Sequence, residues 1–581
     1  MSLSIPIGID DFRLLRERGL AYVDKSSLIR ELLDEPGVGV VLLPRPRRFG
    51  KTVNLSMLRY FFEKREEDLS HLFQDLAIWQ AGDAYRAHFQ RYPVIFFNFK
   101  GVRGEQFEVG WGAIREKIVD LYKEHVYLLE GGRLDEVDVR RFRQILDGTA
   151  EQALYDRALF DLSSYLHRHH GEKVVILIDE YDSPIHVAHA HRYAPRMLDF
   201  MRAFLGAGLK TNPHLQQAVL TGILRIAKES LFSDVNHIGV YTLLAVPFNT
   251  CFGFTEAEVT SLLERTGTLD RLEIVRAWYN GYLFGGEVIY NPWSVLSYLQ
   301  RRQAEPEAYW LSTSSNDLVR ELLERYALEL QPVFESLLEG GHVERLLEEN
   351  VVLGDLHRSE DALFSLLVFA GYLKAERRSR GPAERAMHRL SIPNREVRQV
   401  YATTFRAWMK ARLEGHGGGL ERLTAALLGG DAARLEEQLQ AFVTNLLSYQ
   451  DTGASDPERV YHGFVLGMLA VMEPEYLVRS NRESGDGRPD VMIRAREPGK
   501  PAAVLELKVA RKGEKTPAAA LREGLGQIRE RRYEAELLSA GASVVHAFAV
   551  AFDGKRVWVK AGGAAAAAKK KAGGRKKKAR R

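Results

Sequence analysis

The chain has 581 residues, of which 45% are apolar and 27% are charged, and these values are typical of a globular protein with several cores. A single cysteine, Cys251, excludes an intrachain disulfide and a cysteine-rich metal site. The formal net charge is +4, but residues 561–581 carry nine Lys or Arg and no acid, so removing that segment leaves −5. No apolar run approaches the roughly 20 residues that span a bilayer, and the N-terminus lacks a secretory pattern. We therefore expect a cytoplasmic protein without a membrane segment.

The first part of the chain predicts a parallel α/β sheet. Five short runs are rich in β-branched residues and nearly continuous in apolar character, as strands buried on both faces are; they lie at 38–43, 93–99, 173–179, 217–223 and 239–245. Amphipathic helical patterns separate these runs. Strands that alternate with helices favour a parallel sheet covered on both faces.

The middle of the chain predicts mostly helices. Apolar residues recur every three to four positions at 269–279, 292–302 and 318–326. Residues 361–400 predict a helix followed by two alternating segments around a Gly-Pro turn, an arrangement that resembles a small winged helix. Two further helices flank Gly430-Asp431, which reads as a helix stop followed by a new N-cap.

The end of the chain predicts a second α/β domain. After an initial helix, strands are expected at 489–495, 502–508 and 544–551, with a helix at 516–535. Residues 561–581 are of low complexity, and we expect no fold for them.

The segment RPRRFGKT, Arg45 to Thr52, connects the first predicted strand to an amphipathic helix. Gly-Lys-Thr in this context is typical of a Walker A loop, because helix N-terminal amides attract phosphate. Lys51 is then expected to reach the outer phosphates and Thr52 to hold Mg²⁺. The first glycine of such a loop is missing, since Arg45 and Pro46 occupy its place. A basic strand-to-helix turn is the alternative.

The segment KVVILIDEYDSP, residues 173–184, has the form of a Walker B strand. Asp179 is expected to hold Mg²⁺ through water, and Glu180 to polarise the attacking water. The alternative is a buried strand that ends in solvent-facing acids, but the Gly-Lys-Thr upstream favours an ATPase. Another predicted strand ends at Thr221, where related ATPases place a residue that senses the γ-phosphate, and Arg225 follows it. Alternatively, Thr221 and Arg225 are ordinary residues at the end of a strand, without a role in the site.

Four segments together resemble the bacterial AAA-like ATPase family: VLLPRPRRFGKTVNLSMLRYFF, LIDEYDSPI, GILRIAKESLFSDVN and WYNGYLFGG. The resemblance covers roughly residues 5 to 285. In that family the RPRRFGK form replaces the glycine-rich loop, so the resemblance implies that ATP is bound by Arg47, Arg48, Phe49, Gly50, Lys51, Thr52, Asp179 and Thr221. Arginines at 45, 47 and 48 are expected to supply charge where backbone amides usually do, or else to pair with nearby acids.

A second set of charged residues lies in SNRESGDGRPDVMIRAREPGKPAAVLELKVARKG, residues 480–513. Asp490 begins one predicted strand, and Glu506 and Lys508 are two apart on the next, so they share a face. Asp490 and Glu506 can share a divalent metal, and Lys508 can orient water or offset charge in the transition state. An exposed strand with charged residues is the alternative source of a Glu-X-Lys pattern. Here the neighbours of Glu506 and Lys508 are apolar, and burying a charge pair among them is unfavourable unless the pair has a function.

This set resembles the Asp…Glu-X-Lys site of the PD-(D/E)XK nuclease superfamily. The resemblance covers residues 436–555, including VYHGFVLGML at 460–469 and a later helix with Gln527 and Tyr533. Glu458 or Glu483 could add a metal ligand or orient a catalytic group. His462 could contact phosphate. For His462, packing within a helix is an equal alternative.

We therefore expect an α/β protein with a P-loop NTPase parallel sheet domain, a helical and in part winged-helix middle region, and a C-terminal α/β PD-(D/E)XK nuclease-like domain. The expected boundaries are 1–250 for the ATPase domain, 251–435 for the helical lid or linker, 436–560 for the nuclease-like domain and 561–581 for the basic tail. The expected function is an ATPase that uses ATP and Mg²⁺ and controls cleavage of nucleic acid, with DNA favoured over RNA.

Two alternatives stay open. One is an ATP-switched regulator that binds nucleic acid or a protein without cleavage, and the other is a protein that binds ATP but scarcely hydrolyses it. The nine positive charges of the tail can contact phosphate backbones without sequence preference, or form a solvated terminus. Related ATPases often complete their site with an arginine from a neighbouring subunit, so a homo-oligomer is compatible with the sequence.

Overall fold

The structure is a computed structural model. It describes residues 3–130, 132–224, 238–301, 305–310, 322, 326, 330–338, 340–349, 359–378, 386–414, 419–446, 461–462, 465, 468–469, 472, 475–479, 489–510 and 515–566. The chain forms two compact units: the first contains residues 1–323 and 336–400, and the second contains residues 324–335 and 401–581.

A five-stranded parallel sheet forms the centre of the first unit. Its strands are β1 (Val40–Pro44), β2 (Val94–Asn98), β3 (Val174–Asp179), β4 (Leu215–Gly222) and β5 (Ile238–Val240), in the order β2-β3-β4-β1-β5. Strands β1 and β3 are buried along their whole length because their side chains are almost all aliphatic. All five strands were predicted, although β5 ends at Val240 rather than near residue 245.

Eleven of the described helices belong to the segment that builds this sheet: α1 (Phe12–Glu17), α2 (Ser27–Asp34), α3 (Lys51–Phe62), α4 (Ala77–Gln80), α5 (Asp83–Arg86), α6 (Phe107–Glu124), α7 (Glu136–Leu146), α8 (Gln152–Asp156), α9 (Ala158–His170), α10 (Ser183–Ala190) and α11 (Ala194–Leu209). Short 3₁₀ turns occur at 70–72, 126–129 and 269–271. The carboxyl ends of parallel strands meet at one edge of the sheet, so the residues that follow β1, β2, β3 and β4 come together there.

The next segment combines helices with a small sheet. Helices α12 (Glu256–Thr266), α13 (Leu272–Tyr279) and α14 (Pro292–Gln300) accompany the antiparallel strands β6 (Phe254–Thr255), β7 (Tyr282–Phe284) and β8 (Glu287–Tyr290). The three predicted helical patterns did not include these short strands. Gly285 and Gly286 both have positive φ, 54° and 89°, which lets two residues close the β7–β8 hairpin.

A second small sheet follows along the chain. Strands β9 (Val343–Leu346), β10 (Lys374–Arg377) and β11 (Met387–Ser391) pair in the order β10-β11-β9, and α15 (Gln331–Leu338), α16 (Glu360–Phe369) and α17 (Arg395–Glu414) lie beside them in sequence. The predicted helix and strand pair within 361–400 correspond to α16, β10 and β11. Most of the predicted helix 318–326 and the Gly-Pro turn lie outside the described residues.

The second unit is built around a mixed sheet. Its strands are β12 (Tyr476–Arg479), β13 (Val491–Ala495), β14 (Ala502–Val509), β15 (Val544–Asp553), β16 (Arg556–Ala561) and β17 (Ala565–Ala566). The order is β12-β13-β14-β15-β16, with β17 also on β15; β14 and β15 are parallel, and the other pairs are antiparallel.

Helices cover both faces of this sheet. Helices α18 (Gly419–Gly429) and α19 (Ala432–Leu446) supply one core, and α20 (Pro517–Arg531) and α21 (Tyr533–Ser539) supply the other. We expected no fold for residues 561–581, and this was wrong for the first few of them. Ala561 ends β16, and Ala565–Ala566 pair with β15 through the backbone. Residues 567–581 lie outside the described residues. The predicted fold class, with two α/β parts and a helix-rich middle, is confirmed.

Candidate active sites

The loop between β1 and α3 turns sharply before the helix begins. Arg48 and Gly50 have φ values of 69° and 82°. A Cβ added at Gly50 would meet no atom within 4 Å, so the glycine is required by its backbone conformation and not by space. A positive φ at an arginine is uncommon and marks a loop that is held in place by its surroundings.

Lys51, the first residue of α3, points back into this loop. Its Nζ donates to the carbonyl oxygens of Arg45 and Pro46 at 3.0 and 2.9 Å, and the side chain is buried. Burial lowers the pKa of Lys51, while the nearby carboxylates of Asp179 and Glu180 oppose that shift. The ammonium group therefore lies inside the loop, with two carbonyl oxygens holding it there.

Arg45 has a structural position. Its guanidinium is buried and donates to the carbonyl oxygens of Pro44, Tyr241 and Phe248 at 2.8, 2.7 and 2.9 Å. It also lies over the rings of Phe252 and Phe284. Burial lowers the pKa of Arg45 to about 10. The suggestion that Arg45 supplies charge to a phosphate does not fit this placement, because the guanidinium is enclosed by carbonyls and aromatic rings.

Asp179, at the end of β3, lies at the centre of a hydrogen-bond network. Its carboxylate is fully buried and accepts from the Thr52 hydroxyl at 2.7 Å, the Thr221 hydroxyl at 2.6 Å and the Asn98 amide at 3.2 Å. Asn98, Asp179 and Thr221 lie at the carboxyl ends of the adjacent strands β2, β3 and β4, and Thr52 lies in the first turn of α3, which follows β1. Three predicted residues are thus brought together, and Asn98 is added to them.

The two acids after Asp179 have different environments. Glu180 has a positive φ of 53°, and burial, followed by the charge of Asp179, raises its pKa. Asp182 is buried and accepts from the backbone amides of Ile223 and Leu224 at 2.7 and 3.0 Å. Asp182 therefore fixes the chain that leaves β4, and Glu180 remains the half-buried carboxylate next to Asp179.

The other predicted loop residues contact the neighbouring aromatic side chains. The Arg48 guanidinium lies 4.2 Å from the ring centre of Trp293, and Phe49 packs against Tyr282 and Phe284 at ring distances of 5.0 and 5.2 Å. Phe49 is buried, so only its backbone can face a ligand in this loop. The charge of Arg47 lies near enough to Lys51 to lower its pKa further. Arg225 lies outside the described residues.

The second unit brings Asp490, Glu506 and Lys508 together where β13 begins and β14 ends. The backbone amide of Asp490 points to the Glu506 carboxylate at 3.4 Å, and the backbone amide of Leu507 donates to the Asp490 carboxylate at 2.8 Å. Lys508 Nζ lies 3.1 Å from Glu506 Oε1. Glu506 is 5% exposed; burial, followed by the charge of Asp490, raises its pKa, and Lys508 opposes the shift.

Helical side chains enclose this acidic pair. His462 is buried, and its Nε2 lies 2.9 Å from the carbonyl oxygen of Asp490, which places the ring against the backbone of the site. In α20, Gly524 lies against Glu506: a Cβ there would lie 3.5 Å from the Glu506 Cβ and 2.9 Å from the Ala549 Cβ. The charge of Glu506 contributes to a raised pKa of Tyr533, so that phenol lies nearby. Glu458 and Glu483 lie outside the described residues.

Comparison with known proteins finds a family for each of the two parts of the chain. The model of the predicted AAA-ATPase family matches residues 6–232, and that of the PD-(D/E)XK nuclease superfamily matches residues 456–562. A protein of Azotobacter chroococcum mcd 1, described as "Uncharacterized protein in vnfD 5'region", is 32% identical over 401 residues, which are 68% of this chain and 68% of that protein. The chain belongs to the predicted AAA-ATPase family and has a PD-(D/E)XK nuclease superfamily domain at its C-terminus.

For this AAA-ATPase-like chain, the donor chemistry of both sites is compatible with a divalent cation. Thr52 and Asp179 offer a hydroxyl and a carboxylate in direct contact, and Asp490 and Glu506 offer two carboxylates whose closeness contributes to the raised pKa of Glu506. In the part of the chain that the structure describes, no group of three or more His, Cys, Asp or Glu is placed to hold a metal. Hard oxygen ligands with remaining positions for water are typical of Mg²⁺.

Two residues of this AAA-ATPase-like site were missed by the sequence analysis. Asn98 follows an apolar strand and resembles any polar strand end, and only its register opposite Asp179 reveals its position. Asp182 lies three residues after Asp179 in the same acidic run, so the sequence shows that the two acids are close. It does not show the partners of Asp182, which are the backbone amides of Ile223 and Leu224. The described residues contain no helix that is both long and apolar enough to cross a membrane.

Proposed function

We propose that the first unit binds and hydrolyses ATP with Mg²⁺. The observation that carries the proposal is the contact between Thr52 and Asp179 beside a loop lysine, because this pairs the end of a phosphate loop with the acid at the end of β3. Lys51 has two carbonyl partners that a phosphate oxygen can replace, which favours an outer phosphate inside the loop. The affinity of such a loop comes from the helix N-terminus and from charged donors together.

The polar residues of this site then have separate roles. Thr52 and Asp179 hold the cation, and Thr221 orients Asp179 through its 2.6 Å hydrogen bond. Glu180 accepts a proton from the water that attacks the γ-phosphate, and its raised pKa suits a general base better than a fully exposed carboxylate. When bound, the cation neutralises charge on the transferred phosphoryl group.

We propose that the second unit cleaves the phosphodiester bonds of nucleic acid, with DNA as the favoured substrate. The observation that supports it is the buried Glu506 beside the half-buried Asp490 and Lys508, because a carboxylate that loses its water next to a second acid is costly unless a ligand uses the group. Asp490 and Glu506 hold a divalent cation, which supplies a Lewis acid for the scissile phosphate when bound. Lys508 positions Glu506 and offsets negative charge that develops on the phosphate.

A cleavage assay tests the proposed nuclease activity. Purified protein is incubated with plasmid DNA and Mg²⁺ or Mn²⁺, with and without ATP, beside Glu506→Ala and the surface control Glu497→Ala, whose carboxylate pairs with the exposed Lys500. We expect cleavage by the wild type and by Glu497→Ala but not by Glu506→Ala. A dependence on ATP that Glu180→Gln removes would indicate that hydrolysis controls cleavage.

The second candidate function is an ATP-switched regulator that binds nucleic acid or a protein without cutting it. The observation that favours it is the set of internal partners of Asp179 and Asp490, which hold both acids without a ligand. If the wild type cleaves neither DNA nor RNA, but ATP changes its affinity for DNA, the regulator replaces the nuclease. Phosphate release by Glu180→Gln compared with the wild type separates ATP hydrolysis from ATP binding alone.

A further inference from the structure

A concave pocket lies on one face of the small sheet β10-β11-β9. Its volume is about 270 Å³, and it is lined by Gly340, Gly341, Lys374, Glu376, Arg389, Ser391, Ile392 and Arg398. The strand register explains why charged residues gather here: Lys374 pairs with Ser391, and Glu376 pairs with Arg389, so all four point to one side. The opposite side carries Ala375 and Leu390, which are buried.

The pocket has an excess of positive charge. The three cations Lys374, Arg389 and Arg398 face one lining carboxylate, Glu376, which leaves a formal charge of +2. Lys374 pairs with Glu376 at 3.0 Å. Among the described residues, neither Arg389 nor Arg398 has a side-chain ion pair or hydrogen bond, so both guanidinium groups keep their donors for another partner.

Within the described ranges, other charged groups around the pocket do not cancel this excess. Glu344 of β9 is opposite Arg389 in the strand register, but its carboxylate lies 3.6 Å from Arg378. Arg377 and His388 pair with each other in the register on the opposite face of the sheet. A row of solvated charges is the ordinary explanation for polar strand residues. It does not account for two arginines that have no ion pair in the described part of the chain and that both line one concave space.

Gly340 keeps the pocket open. Gly340 has a φ of +90°, and a Cβ there would lie 3.3 Å from a terminal nitrogen of Arg398. A side chain at that position would therefore occupy the space in front of the guanidinium. The lining is polar and the volume is at the low end for ligand sites, which favours a small, strongly charged group over an apolar molecule.

We propose that this pocket binds a terminal phosphate group, the monoester carried by mononucleotides and by the phosphorylated ends of nucleic acids. A phosphate monoester has a charge of about −1.5 to −2 at neutral pH, which matches the excess of the pocket better than the single charge of an internal phosphodiester. Arg389 and Arg398 supply the planar donor pairs that bind phosphate oxygens in a bidentate manner. The pocket shares no residue with either candidate hydrolase site.

Fluorescence anisotropy tests the proposal with a single-stranded oligonucleotide that carries either a 5′-phosphate or a 5′-hydroxyl, in EDTA so that no cleavage occurs. Inorganic phosphate and adenosine monophosphate serve as competitors. The test variant is Arg389→Gln/Arg398→Gln, and Arg389→Lys/Arg398→Lys keeps the charge. Arg377→Gln is the matched control, since it removes the same charge from the other face of the same sheet. Thermal unfolding confirms that all variants are folded.

We expect the wild type and Arg377→Gln to bind the 5′-phosphate oligonucleotide more tightly than the 5′-hydroxyl one. The double glutamine variant should bind the 5′-phosphate oligonucleotide about tenfold more weakly, with no change for the 5′-hydroxyl oligonucleotide. The lysine variant should keep part of the preference. If only competition by phosphate and adenosine monophosphate is lost, the terminal phosphate belongs to a free nucleotide. Equal losses for both oligonucleotides would overturn the assignment in favour of an internal phosphodiester, and unchanged binding of every ligand would overturn it altogether.

Discussion

The hydroxyl of Thr221 provides the sharpest test of the network around Asp179. Thr221→Val keeps the shape of the side chain but removes the donor that lies 2.6 Å from Asp179 Oδ1. Both residues are fully buried, so water cannot replace the lost hydrogen bond. A hydrogen bond to a charged group contributes about 1.5–3 kcal/mol, which corresponds to roughly a ten- to hundredfold change in an equilibrium or rate.

Two measurements separate the structural and catalytic effects of this change. For a unit of 388 residues, a loss of 1.5–3 kcal/mol lowers the melting temperature by about 2–4 °C. Phosphate release at saturating ATP should fall by at least about tenfold in Thr221→Val. Thr221→Ser is the control, because it keeps the hydroxyl and removes one methyl group, so it should lose some stability but retain hydrolysis.

Either of two results would refute the reasoning. If Thr221→Val melts and hydrolyses ATP as the wild type does, the hydrogen bond to Asp179 contributes nothing measurable. If the variant melts lower but keeps full phosphate release, Thr221 supports the fold only, and its assignment next to the γ-phosphate is wrong.

Three further changes probe other parts of the chain. Glu396, in α17, is buried and accepts a hydrogen bond from the backbone amide of Trp310 at 2.8 Å. Burial raises its pKa from the usual 4.5 to about 7, so the free energy of unfolding should fall by about 3 kcal/mol as pH rises from 4.5 to 7. In calorimetry, Glu396→Gln should therefore melt higher than the wild type at pH 8 but not at pH 5. Cleavage should rise with pH through the raised pKa of Glu506, because the carboxylate form binds the cation, and Glu506→Gln should lower the rate at least about hundredfold while Glu497→Gln does not. Arg45→Lys should lower the melting temperature more than Arg47→Lys, because one ammonium group cannot reach three carbonyl oxygens; equal shifts would contradict this.

The parallel sheet could be predicted from the sequence because its strands are continuous apolar runs. Asp179 and Glu506 could be named as well, since each interrupts such a run with an acid. The β7–β8 hairpin was missed because each strand has only three or four residues, which is too short for a clear alternation. Its Gly285-Gly286 turn was the available signal.

The contacts of the phosphate-loop region could not be predicted in the same way. Arg45 binds the carbonyl oxygens of Tyr241 and Phe248, which are 196 and 203 positions away along the chain. Asn98 and Asp179 are 81 positions apart and meet only through strand register. Local patterns identify which residues can do chemistry, but the partner that holds each of them in place depends on the topology of the sheet.

The anchoring of Arg45 has a consequence for the thermodynamics of any anion that enters the loop. A glycine-rich loop samples many backbone conformations and loses that freedom when it closes around a phosphate. Here the loop is held by three hydrogen bonds from Arg45, which are in place before a ligand arrives and which a phosphate does not replace. Binding should therefore carry a smaller entropic penalty than in a glycine-rich loop, and the loop geometry should differ little between the empty and the occupied state.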